Sequence, residues 1–209
     1  MTIIDNLKWR YAVQKFDTSK QLPEADLQQI LEAGNLAATA YGLQPFTMVL
    51  VEKEEVRTSL IEHAYGQTHF GQNSLLIVLA ARTDIDEAYI SEFTARTEGI
   101  RGLPAGTIDG YKQVIINDLT NRTPEARLHW AKEQAYIALG TMMAAASELR
   151  IDNHAMTGFS VEKFNEILGF KEKNLDATVA LALGYRAEDD DWQHYAKVRK
   201  ELDDIVVRI

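Results

Sequence analysis

Three stretches of the chain are apolar without alternation, the pattern of strands covered on both faces: Thr47–Glu52 (TMVLVE), Leu75–Ala81 (LLIVLAA) and Ala177–Tyr185 (ATVALALGY). Other segments carry the helical period. LPEADLQQILEAG sets Leu27, Ile30 and Leu31 on one face, with Pro23 early and Gly34 as an expected stop. EEVRTSLIEHAYG reads as a helix, as do the segments around 87–96 and 109–119, which GLPAGT (102–107) separates. Thr123 and Pro124 form an N-cap and first-turn proline for a helix running to about Leu149. Its middle, AYIALGTMMAAASEL, is apolar almost all round, so it is buried on most sides, and a subunit interface is one way to achieve that. SVEKFNEILG is a further helix between Ser160 and Gly169. The terminal DDIVVRI is β-prone and follows a charged loop, so a strand there needs an edge to pair with, a partner's sheet being one candidate. This order is not a regular βαβ alternation. It predicts an α+β or three-layer mixed-sheet fold, and without repeats or linkers residues 1–209 read as one domain.

Composition narrows the function. The 209 residues include no cysteine, which excludes disulfides, Cys-zinc sites, Fe–S clusters and thiol chemistry and fits a cytoplasmic protein. No apolar run approaches the roughly 20 residues that span a bilayer, and the amino terminus lacks a secretory layout, so no membrane partner is expected. A net charge of -9 argues against nucleic acid as a partner. Neither dinucleotide-binding nor P-loop glycine patterns occur, nor a G-x-S-x-G elbow. The histidines at 63, 69, 129, 154 and 194 have no ligand spacing, so no metal site is expected. The acidic run Glu188–Asp191 reads as solvated loop charge. An enzyme of this chain must borrow its chemistry from an organic cofactor, and no catalytic side chain is assigned.

Basic residues cluster in two places. Arg10 lies among apolar and aromatic neighbours in LKWRYAVQKFD, and Lys197, Arg199 and Lys200 follow the acidic run near the other end. Guanidinium groups match phosphate oxygens in two-pronged fashion, so Arg10, Lys197 and Arg199 would clamp a phosphate monoester if the chain ends meet. A plain surface cluster is the alternative.

The segments RYAVQKFD, LAATAYGLQPF, AYGQ, HAMTGF, ALALGYRAEDD and HYAKVR occur in one order along the chain. In this it resembles the FMN-dependent nitroreductase family, in its oxygen-insensitive NAD(P)H nitroreductase and dihydropteridine reductase-like branch. The resemblance implies a central mixed, mainly antiparallel sheet flanked by helices, with the terminal strand added to the partner subunit's sheet. It implies a homodimer with FMN at the interface and NADH or NADPH as electron donor. Arg10, Tyr11, Ala12, Lys197 and Arg199 would hold the ribityl phosphate and chain. Ala38, Thr39 and Ala40 would reach across from the partner, and Thr157-Gly158 would turn a backbone N–H toward flavin N5. Gln67 is either a flavin ligand or a cap of the preceding helix, and Thr157-Gly158 could equally be only a turn. Tyr41, Tyr111 and Ile116 are candidate walls of the substrate pocket.

The sequence departs from the family's pattern in several places. Gln14 stands where many members have lysine, and it brings no charge to flavin N1, though Lys15 keeps a cation nearby. Thr157 replaces the usual glutamate, Ala38 and Ala196 replace prolines, and Ala12 and Ala40 replace serines. The expected activity is reduction of a small-molecule electron acceptor (nitroaromatics, quinones or similar flat molecules) by ping-pong hydride transfer. A flavin-binding protein with little turnover, or enone or pteridine reduction, are the alternatives.

Overall fold

The computed structural model describes residues 2–209. Four strands, β1 (Phe46–Val51), β2 (Leu75–Arg82), β3 (Asp152–Met156) and β4 (Leu175–Gly184), form one sheet in the order β1-β2-β4-β3. All three pairings are antiparallel. The single parallel contact among the described residues is a bridge from Ala12 to Asn153, beyond β3. Among the described residues seven α-helices accompany the sheet: α1 (Ile3–Trp9), α2 (Glu24–Asn35), α3 (Glu54–Glu62), α4 (Glu87–Arg101), α5 (Asp109–Thr120), α6 (Pro124–Glu148) and α7 (Val161–Ile167).

The period of two in β2 and β4 divides the core into layers. Leu76, Val78, Ala80, Ala180 and Ala182 face one side, where they meet Leu60 of α3 and Phe164 of α7. Leu75, Ile77, Leu79, Val179, Leu181 and Leu183 face the other, against Leu27 and Ile30 of α2 and Ala135, Ala138 and Met142 of α6. Both faces are covered, which is why these strands are apolar runs. A third cluster at one end joins α4 and α5 to the start of α6 through Ile90, Ile115, Leu119 and Trp130.

The expected caps form. Thr123 Oγ1 accepts from Ala126 N–H and Ser160 Oγ from Lys163 N–H, which fixes where α6 and α7 begin. One expectation changes, one strand was not anticipated, and the tail stays unpaired in the single chain. Gly34 does not stop α2 but lies within it, buried: a Cβ there would sit 2.9 Å from the side chains of Met142 and Met48, so the glycine serves the close approach of α2 to α6. Strand β3 carries Asp152, Asn153 and His154 and has no apolar signature, so periodicity did not reveal it. The carboxyl-terminal strand does not form within the chain: Leu202–Asp204 make one 3₁₀ turn, and residues 205–209 run exposed without secondary structure. Strand β1 pairs only with β2, so its other edge has no strand partner among the described residues.

Candidate functional site

The two chain ends meet. Lys197 Nζ donates to the backbone carbonyl of Arg10 across 187 positions. Around that contact lies a cleft of about 410 Å³ lined by Trp9, Arg10, Tyr11, Ala12, Lys197 and Arg199, with Trp192 and Tyr195 at its wall. Among the described residues no carboxylate forms an ion pair with Arg10, Lys197 or Arg199. The Nε of Arg10 is buried without a hydrogen-bond partner. Burial, then the charge of Arg199, pushes the Arg10 guanidinium below its ordinary value. Loss of solvation, then Arg10 and Arg199, does the same to the Lys197 ammonium. Cations that repel one another around an orphaned buried donor are a site whose balance requires an anion. The residues present fit a phosphate monoester.

The Arg10–Lys15 segment is held by residues that the sequence did not mark. Asp190, only 1% exposed, accepts through Oδ2 from Tyr11 Oη (2.9 Å), Gln14 N–H (2.9 Å) and Lys15 N–H (3.2 Å), and through Oδ1 from Trp192 N–H (3.2 Å). Burial pushes its carboxyl up, but the N–H donors of Gln14 and Lys15 and the Tyr11 hydroxyl outweigh this and hold it below its ordinary value. The acidic run is therefore not wholly solvated. Its third member ties the two halves of the cleft together. Asp152, also buried, takes a two-pronged ion pair from Arg186, whose guanidinium lies 4.5 Å from the Trp9 ring centre and 4.6 Å from that of Tyr11. Two placements bear on the segment's charge. Lys15 Nζ pairs with Asp189 at 3.0 Å, both side chains being exposed. Gln14 turns its amide back to donate to Ala12 O at 2.9 Å.

The other expected residues form two further groups. Gln67 Nε2 donates to Ala64 O (3.0 Å) and to Gly158 O (2.9 Å), so its amide nitrogen braces the 157–158 loop and the end of the preceding turn. A Cβ on Gly158 would stand 2.9 Å from that nitrogen, which accounts for the glycine. Ser160 N–H donates to His63 O, anchoring the far side of the loop. Among the described residues the N–H groups of Thr157 and Gly158 donate to nothing within the chain. The third group surrounds the Ala38-Thr39-Ala40 turn. Ala40 N–H donates to the buried Gln134 side chain, and Thr39 Oγ1 accepts from Gln44 N–H. Tyr41 has φ 60°, a left-handed conformation that costs a bulky residue about 1 kcal/mol or more. Its hydroxyl donates to Asp118 at 2.9 Å and its ring meets Tyr111 edge-on at 6.3 Å. Tyr111 is partly exposed, whereas Ile116 is buried in the third cluster, behind Tyr41.

The fold is an antiparallel three-layer α+β arrangement with a cationic cleft between its chain ends. The sequence profile of the nitroreductase family matches residues 7–185, and the chain belongs to that family. A Staphylococcus haemolyticus protein named "putative NAD(P)H nitroreductase" is 32% identical over 218 residues, spanning 98% of this chain and 96% of its own. A structure from Exiguobacterium sibiricum, described as a complex with FMN, superposes with a TM-score of 0.84 at 19% identity and covers 100% of this chain and 98% of its own. An enone reductase of gut-bacterial fatty acid saturation superposes with a TM-score of 0.84 at 17% identity, covering 99% of this chain and 97% of its own. These two structures share the fold.

Proposed function

We propose that the protein is an FMN-dependent NAD(P)H oxidoreductase that reduces flat organic acceptors. The observation that carries this reading is the convergence of Arg10, Lys197 and Arg199, from opposite ends of the chain, with no carboxylate ion-paired to them among the described residues. FMN, when bound, supplies hydride transfer between a nicotinamide donor and the acceptor. The protein's part is to bind, orient and exclude water. Arg10, Lys197 and Arg199 hold the phosphate, and Tyr11 and Ala12 line the same cleft. Asp190 keeps the segment that carries Gln14 rigid. The free N–H groups at Thr157 and Gly158 are donors for the ring edge, in a loop that Gln67 braces. Tyr41 and Tyr111 offer an aromatic wall for a flat acceptor, with Ile116 supporting it from behind. No side chain is required as general acid or base.

The protein acts as a homodimer in this reading. Ala38 and Ala40 are exposed on the single chain, available to a neighbour's cofactor. So are Ile205, Val206, Val207 and Ile209 of the tail, while β1 keeps an open edge. A tail laid on the partner's β1 edge satisfies both surfaces. Deleting residues 201–209 is expected to turn the dimer into a monomer in sedimentation velocity and to lower FMN content. A dimer that survives the deletion assigns the interface elsewhere. Catalysis is tested by rapid mixing of the FMN-loaded protein with NADH or NADPH. Bleaching of the flavin band, restored by a nitroaromatic, quinone or enone, is expected. A band that persists with both donors makes the protein a flavin binder without turnover.

A further inference from the structure

Two histidines stand between the groups that the reading above assigns to the flavin. His154 projects from β3, and His69 lies in the 3₁₀ turn that follows Gln67. Their rings stack with centroids 4.3 Å apart and planes 19° from parallel. His154 Nδ1 lies 2.8 Å from Val13 O. A carbonyl only accepts, so Nδ1 carries the proton and Nε2 of the neutral ring does not. His69 Nε2 lies 3.2 Å from Gln67 Oε1. The Gln67 amide nitrogen is committed to the carbonyls of Ala64 and Gly158, so its oxygen must face His69, and His69 carries its proton on Nε2. The result is one continuous path: Gly158 O, Gln67, His69, His154, Val13 O. It runs from the loop with unspent N–H groups to the segment that lies between Ala12 and Gln14.

We propose that His154 and His69 are positioning residues whose stacked neutral rings fix the span between the Gly158 loop and the Val13 segment, and so set how tightly the flavin is gripped. This rests on the cofactor reading above. Protonation of either ring keeps these two hydrogen bonds but adds a cation to the stack beside Arg10, and protonation of both would put two cations face to face. The charged groups that act on His154 are Arg10, which opposes its protonation, and Asp190, which favours it; the group that acts on His69 is His154. Burial, then its neighbour, pushes His69 down to about 4, and burial is also the main cause that lowers His154. With both values below the ordinary 6.5, the unfolded chain binds more protons than the folded one as pH falls from there. The folding stability linked to these rings is complete above that value and declines below it, while in the folded protein the grip persists until the pH reaches the lowered values, about 4 for His69.

The test measures FMN affinity by fluorescence quenching at about pH 7.5 and about pH 4, above the ordinary histidine value and at the value to which His69 is lowered. His154→Phe keeps a ring on His69 but loses the donor to Val13 O, and is expected to bind FMN about tenfold more weakly at the higher pH. His154→Asn supplies an amide donor that does not titrate, and should restore affinity while flattening the pH profile. Nitrogen-15 imidazole NMR on the unaltered protein reads the tautomers without any variant, and Nδ1–H on His154 with Nε2–H on His69 is expected. The opposite tautomers would overturn the proposal, as would equal affinity of His154→Phe and the parent, or an Asn variant as weak as the Phe variant. If the parent protein binds no FMN at either pH, the cofactor reading fails and this proposal with it. Normal binding by the parent with an unaffected Phe variant removes the coupling alone.

Discussion

Replacing Lys197 and Arg199 together with alanine is expected to weaken FMN binding at least about 100-fold, since each charge-assisted contact contributes about 1.5–3 kcal/mol. The apoprotein should keep its fold and stability. Both side chains are exposed, neither forms an ion pair among the described residues, and the repulsion among the three cations that is relieved offsets the one exposed hydrogen bond, from Lys197 to Arg10 O, that is lost. A fall in affinity without a fall in melting temperature separates a ligand-binding role from a structural one. The residual affinity should also depend less on salt, because fewer charges meet the phosphate. Equilibrium dialysis of the double variant and the parent at two ionic strengths checks both points. A variant that retains full flavin places the phosphate elsewhere.

The second large effect is expected at Asp190. Asp190→Ala removes the acceptor of the Tyr11 hydroxyl and of the N–H groups of Gln14, Lys15 and Trp192 at one stroke. Several donors lose their partner in a buried place, so the cost is about 3 kcal/mol, equivalent to a melting point about 8 °C lower for a chain of this size. Unlike the lysine–arginine variant, this one should lose stability and flavin together, because the cleft's two halves are no longer tied. The pH dependence has a definite sign. The folded carboxyl is held below its ordinary value of 3.8, so the stability it contributes is present above that value and is lost as the pH falls below it. Thermal unfolding of parent and variant between neutral and strongly acid pH should converge at the acid end.

The apolar elements were legible and the polar ones were not, for one physical reason. Strands β2 and β4 are covered on both faces, so their sequences are apolar runs that stand out from any neighbour, whereas α6 buries one face and leaves Tyr136 and Ile137 exposed. Strand β3 is paired just as firmly, but its residues Asp152, Asn153 and His154 serve ion pairing and hydrogen bonding, and a polar strand leaves no periodic trace. Asp190 is hidden differently: one buried acid among three exposed ones has the same letter as its neighbours. Gly34 shows the converse error, a glycine that reads as punctuation yet is there for a close helix contact. Helix α1 did carry a signal, the Thr2–Asp5 capping box, although only a short amphipathic stretch follows it. As for the site, no local spacing relates Arg10 to Lys197. Their meeting follows from the fold, in which Phe16 bridges to Arg186 and so returns the chain's two ends to one another.

In the proposed reading Lys15, paired with Asp189, and Gln14, turned onto its own backbone, would bring no free positive charge to a reduced ring, and Arg10, Lys197 and Arg199 would serve the phosphate.

Titrating the purified apoprotein in parallel with FMN and with riboflavin, which differ only by the phosphate, tests that assignment most directly. The account predicts that FMN binds at least about 100-fold more tightly and that inorganic phosphate weakens FMN but not riboflavin. Equal affinity for the two flavins would contradict it.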